Sequence, residues 1–200
     1  MDWISNRIYE IAVYPIAQPI RQKLVYEKKS LLRRQMSVVP HMPESQMAKL
    51  TITSQSEQQT TELGQRLGRS VEPGTVIGLN GTLGSGKTRL TQGIGQGLDI
   101  AEGAIVSPTY TLCVPHEGRL GLLHLDAYRI ADPSEVDELG LDELTENGVV
   151  LIVEWSKRIE TLLPPIDLDV TIEPTGEHIR QFEFQSLSSL GQRLLEQLRL

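Results

Sequence analysis

The chain has 200 residues, with 19 Lys+Arg against 26 Asp+Glu, a formal net charge of -7 and 39% hydrophobic residues. A chain of this size and mix is expected to fold as one soluble domain with room for a short extra segment, without a disulfide or metal staple. The single Cys113 excludes an internal disulfide framework and a thiolate zinc cluster. No apolar run approaches the ~20 residues of a membrane span. The opening stretch puts Asp2 where a signal peptide needs positive charge, and Pro15 and Pro19 break its apolar part, so a cytosolic protein is expected.

The charge is unevenly spread. Residues 1–49 hold eight Lys+Arg against four Asp+Glu, whereas residues 50–200 hold eleven against twenty-two. Residues 1–48 show no stable periodicity and carry the basic run EKKSLLRRQ. They read as a disordered or partly helical extension, as leader sequence before a later start at Met36, Met42 or Met47, or as a basic arm for RNA or an acidic partner. The acidic remainder, residues 49–200, is the expected domain, and its charge argues against a broad grip on a nucleic-acid backbone.

In chain order, Lys49 to Thr53 reads as a short strand. Ser54-x-x-Glu57 is a capping-box pattern that opens a helix to about Ser70, with Leu63 and Leu67 on one face. Pro73-Gly74 turns the chain into the apolar strand TVIGLNG, followed by a Gly-rich loop and a helix over about 87–98. Strands are expected at 104–106 and within 109–115, then at LGLLHLD, with an acidic helical segment over 134–146. The run VVLIVE at 149–154 is continuous enough for burial on both sheet faces. LDVTIEP and HIRQFEFQS alternate in period two around Thr175-Gly176 as a hairpin, and SLGQRLLEQLRL closes the chain as an amphipathic helix. Strands alternating with helices around a buried strand predict an α/β, three-layer fold with a mainly parallel central sheet and a C-terminal hairpin and helix.

Residues 81–88, GTLGSGKT, match G-x-x-x-x-G-K-[ST] in full, between an apolar strand and a helix as that pattern requires. Such a loop cradles phosphates: Gly81, Thr82, Leu83, Gly84, Ser85 and Gly86 supply backbone amides, Lys87 reaches the β and γ phosphates, and the Thr88 hydroxyl ligates Mg²⁺. A second magnesium anchor is expected at the end of a neighbouring apolar strand. Asp126 and Glu154 are the candidates, one for the metal or its water and the other to orient or activate the attacking water. The chain has no [NT]-K-x-D element for guanine among its six lysines, which favours ATP. Trp155 either stacks on a base or a partner or packs beyond the strand end. Thr109, in the Ser107–Tyr110 loop, sits where a γ-phosphate-sensing switch is expected. His124 reads as a strand residue rather than a metal ligand, because no second His or Cys stands at ligand spacing. A small-molecule kinase of the same fold class is the alternative; it needs arginines closing over the phosphates, and Arg89, Arg119, Arg129 and Arg158 are those near in sequence.

Four elements in this order, GTLGSGKT, SPTYTL at 107–112, HLDAYRI at 124–130 with the acidic ADPSEVDELGLDE after it, and VVLIVEW at 149–155, resemble the TsaE family of bacterial tRNA threonylcarbamoyladenosine biosynthesis. The resemblance covers roughly residues 50–185. It implies a slow P-loop ATPase whose nucleotide cycle supports TsaB and TsaD, the complex that modifies adenosine 37 of tRNA, so that tRNA is met through the complex. It implies that Lys87 lies on the phosphates, Thr88 and Glu154 on Mg²⁺, Asp126 beside the attacking water or in the metal shell, and Thr109 in a switch loop. It further implies that the helix start around Glu57 and Thr60 approaches the nucleotide and that Trp155 matters for activity. Ser85 and Ser156 depart from the commoner alanine and proline of the family, and residues 1–48 have no counterpart in it.

Overall fold

The computed structural model describes residues 47–108, 112–130, 132 and 134–199. The expectations for residues 1–46 and for Thr109 lie outside them. The described residues build a seven-stranded sheet in the order β1-β7-β6-β2-β5-β4-β3. Its strands are β1 Lys49–Ser54, β2 Val76–Gly81, β3 Cys113–His116, β4 Leu122–Asp126, β5 Val150–Glu154, β6 Leu168–Pro174 and β7 Arg180–Ser186. β6, β2, β5 and β4 run parallel, while β1, β7 and β3 join antiparallel at the two sides. The helices are α1 Glu57–Ser70, α2 Lys87–Gly97, α3 Ser134–Glu138, α4 Leu141–Glu146 and α5 Ser189–Arg199.

Two apolar layers sandwich the sheet. On one face Leu63 and Leu67 of α1, Leu90 and Ile94 of α2 and Leu194, Leu195 and Leu198 of α5 pack on Ile77, Leu79, Ile152 and Val170. On the other, Val136, Leu141 and Leu144 of α3 and α4 cover Leu123, Leu125, Leu151 and Val153. β5 contributes side chains to both layers and is buried at all five positions, as its unbroken VLIVE run demands. The α/β three-layer architecture with a parallel centre and C-terminal hairpin and helix is therefore what the chain forms.

α1 and α2 touch backbone to backbone. A Cβ on Gly64 would lie 2.7 Å from Gly93 Cα, and one on Gly97 would lie 2.8 Å from Gly68 Cα. The two G-x-x-x-G spacings, Gly64/Gly68 and Gly93/Gly97, are what lets the helix that opens at the Gly-rich loop pack so closely on α1.

Local details correct the sequence expectations. Ser56, not Ser54, caps α1, its hydroxyl accepting from Gln59 N at 3.1 Å; Ser54 instead donates to Ser56 O at 2.7 Å. No strand forms at 104–106. There Ile105 is buried, filling the space beside Gly95, and its carbonyl accepts from the Gln92 side chain at 3.0 Å, so a side chain and not a neighbouring strand satisfies the backbone. The acidic segment breaks into α3 and α4 at Gly140, whose φ of 62° ends one helix and whose carbonyl starts the next by accepting from Leu144 N.

Candidate functional site

The parallel centre aims three strand ends at one place. β2 runs into the Gly81–Lys87 loop, and its neighbour β5 ends at Glu154, in register with Leu79. β4, the next strand over, ends at Asp126, in register with Glu154. This is the carboxyl edge of a parallel sheet, where α/β folds place ligands. The two candidate carboxylates are thus cross-strand neighbours beside the loop, although 28 positions separate them in the chain.

The loop's glycines are needed for different reasons. Gly84 and Gly86 have φ of 73° and 108°, with open space around a Cβ, so the backbone conformation alone requires glycine there. At Gly81 a Cβ would in addition strike Ile172 O at 2.4 Å. Gly86 caps α2 with no side-chain hydrogen bond to the helix end, so the first-turn amides are left to an incoming acceptor. Ser85 is fully buried, and its Oγ has no hydrogen-bond partner among the described residues. Thr82 and Leu83 lie at the exposed tip, with Leu83 81% exposed.

Lys87 is 4% exposed. Its Nζ donates to Gly81 O at 3.0 Å and Thr82 O at 2.9 Å and lies 4.0 Å from the Trp155 ring centroid. Burial holds this lysine below its ordinary range, against the opposing pull of Glu154 and Asp126. Trp155 is presented by a left-handed turn, φ 61°, fixed by its N–H donating to Leu79 O at 2.7 Å and by buried Ser156, whose Oγ accepts from Asn80 Nδ2 at 2.9 Å. Tyr128 packs against the Trp155 ring at 5.0 Å between centroids, and Arg158 lies 5.7 Å from the Tyr128 ring.

Glu154, 3% exposed, receives a hydrogen bond from Thr88 Oγ1 at 2.8 Å on Oε1. The structure thus joins Thr88 to Glu154 rather than to Asp126. Asp126 Oδ1 instead accepts from Tyr128 N at 2.9 Å, closing the turn after β4. Burial raises the Asp126 carboxyl above its usual range; the Tyr128 N–H opposes this and the Glu154 charge reinforces it. The same Glu154 Oε1 also meets His124 Nε2 at 3.0 Å. Sequence reasoning left His124 as a strand residue; the period-two spacing from Asp126 was the signal that put both on one sheet face.

The start of α1 stands at α2, since Glu57 pairs with Arg89, the residue after Thr88. Thr60 is 2% exposed, its hydroxyl bonded to Ser54 Oγ and Ser56 O, so in this structure it ties α1 to β1.

The residues present fit a magnesium nucleotide. The donor set of Thr88, Glu154 and Asp126 is all oxygen, and the uncapped α2 amides suit phosphate oxygens. Among the described residues no three His, Cys, Asp or Glu side chains form a cage for a metal on their own. A cation held here would draw its remaining ligands from phosphates and water, the usual habit of Mg²⁺.

Comparison with known proteins agrees with this geometry. The family model "Threonylcarbamoyl adenosine biosynthesis protein TsaE" matches residues 54–182. The tRNA threonylcarbamoyladenosine biosynthesis protein TsaE of Bacillus subtilis is 35% identical over 76% of this chain and 95% of its own length. That of a Nostoc species is 40% identical over 72% and 90%. A crystal structure of Bacillus subtilis YdiB superposes with a TM-score of 0.64 at 29% identity, covering 76% of this chain and 95% of that one. With the Gly-rich loop, the paired strand-end carboxylates and these matches in one chain, the protein belongs to the TsaE family of threonylcarbamoyl adenosine biosynthesis proteins.

Proposed function

We propose that the chain is a Mg²⁺-dependent ATPase of tRNA threonylcarbamoyladenosine formation, whose nucleotide cycle acts on a complex of TsaB and TsaD that holds the tRNA. The observation that carries the nucleotide reading is the joining of the phosphate loop to an acidic strand end through Thr88 Oγ1 and Glu154 Oε1, beside buried Lys87. Lys87 leaves the loop carbonyls to neutralise charge on the β and γ phosphate oxygens, and the amides of Gly84 and of Gly86 to Thr88 bind the rest. Thr88 and Glu154 hold Mg²⁺, which when bound supplies positive charge that offsets charge on the phosphates. Asp126, with Oδ1 committed to Tyr128 N, uses Oδ2 to orient the attacking water and accept its proton; the raised pKa makes it a better base than an ordinary aspartate. The Trp155 ring already has neighbours in Lys87 and Tyr128, which favours a role in placing Lys87 over stacking on the base.

Lys87→Ala tests the site. ATP hydrolysis is expected to fall on the order of a hundredfold or more, and undiminished turnover would refute the assignment. Phosphate released to water rather than to a small acceptor separates the ATPase from a kinase. Recovery of TsaB or TsaD in pull-downs with ATP or ADP tests the partners; failure in both states removes the pathway role and leaves the ATP site standing.

A further inference from the structure

Glu154 has three free torsions, and a carboxylate that must face both Thr88 and a cation needs them fixed. Two elements do this. Thr88 of α2 donates to Oε1 at 2.8 Å, and His124 of the adjacent strand β4 meets the same oxygen through Nε2 at 3.0 Å. His124 is fully buried. A carboxylate only accepts, so Nε2 carries the hydrogen of this bond, while Nδ1 has no partner among the described residues. Both bonds fall on Oε1, which leaves Oε2 uncommitted to any described side chain. Building a fully buried imidazole between Leu123 and Leu125, with one nitrogen unpartnered, costs stability that those leucines do not cost. We propose that His124 is a positioning residue of this site: its Nε2–H sets the Glu154 carboxylate in the orientation that serves Thr88 and the Mg²⁺ of a bound nucleotide. This rests on the nucleotide reading above and adds to it a residue that acts through Glu154 without touching the ligand. Hydrogen-bonded outer partners of metal-holding carboxylates typically account for 10- to 100-fold in metal affinity.

The test is the gain in affinity for a fluorescent, non-hydrolysable ATP analogue when Mg²⁺ replaces EDTA, measured on the full chain. For His124→Leu, the Mg²⁺-dependent gain is expected to shrink at least tenfold, while affinity in EDTA stays within about twofold of wild type. His124→Gln places an amide N–H at the same bond count from Cα as Nε2 and is expected to restore most of the gain. His124→Asn, whose N–H reaches only as far as Nδ1, is not. If the leucine variant does not fold, the Gln and Asn pair decides the matter by the same criterion. An undiminished gain in the variants that lack the donor overturns the proposal, as does an equal loss in EDTA and in Mg²⁺, the signature of a merely structural histidine. No analogue binding by the wild type overturns the nucleotide reading itself, a result distinct from either.

Discussion

A buried histidine at the other end of the β3–β4 pair from Asp126 ties stability to pH. His116 on β3 is 9% exposed with Nε2 unpartnered among the described residues, and burial, reinforced by the nearby His124, pushes its pKa down to about 4. The unfolded chain therefore takes up a proton near pH 6.5 that the folded chain refuses until about pH 4. This contribution to stability is whole above pH 6.5 and is lost as pH falls towards 4, with a slope of at most about 1.4 kcal/mol per pH unit. His116→Leu is expected to flatten that part of the acid limb in urea melts taken at stepped pH; an unchanged slope would show that other groups carry it. The Gly-rich loop between strand and helix and the two strand-end carboxylates were legible in the sequence because each is written locally, as a motif or as an acid at the end of an apolar run. The roles of Thr60 and His124 were not. Thr60 is turned towards β1, and His124 acquires its partner only when β4 and β5 pair in register.

At the level of elements, hydrophobic period and turn residues placed three of the four expected helices and all but one of the expected strands that fall within the described residues. The strand expected at 104–106 failed because three apolar residues say nothing about whether a neighbouring strand is there to pair with. The single acidic helix failed at Gly140, where the left-handed conformation interrupts an otherwise helical pattern. The feature least visible in sequence is the glycine contact between α1 and α2, since neither glycine pair is meaningful until the helices are set against each other. Gly93→Val pushes side-chain carbons into Thr61 O and Gly64 Cα, backbone that cannot step aside. A cost of about 3 kcal/mol, seen as a drop in Tm of roughly 6–12 °C, is expected. Gly103→Ala, at an open position with φ 80°, carries only the backbone strain and is expected to cost less. Equal losses in thermal melts would argue against the close contact.

For the whole molecule, charge and fold agree. Residues 50–200, with twice as many acids as bases, contain the whole of the described core, and no helix among the described residues is long and apolar enough to cross a membrane. A body of that sign should not hold tRNA unaided: a chain starting at Met47 is expected to bind tRNA more weakly than about 0.1 mM at physiological salt. Fluorescence anisotropy checks this, and tighter binding would show a basic surface that the net charge hides. The turn that sets Trp155 against Lys87 also gives the intact protein an optical consequence. The chain has two tryptophans, Trp3 and Trp155, so in a Trp3→Phe variant all indole emission comes from a ring lying 4.0 Å from a lysine nitrogen. Any ligand that draws that ammonium away changes the ring's electrostatic surroundings and shifts its emission, so the site carries its own dye. A titration with ATP should move the spectrum, and adenosine, lacking phosphates, should leave it where it was.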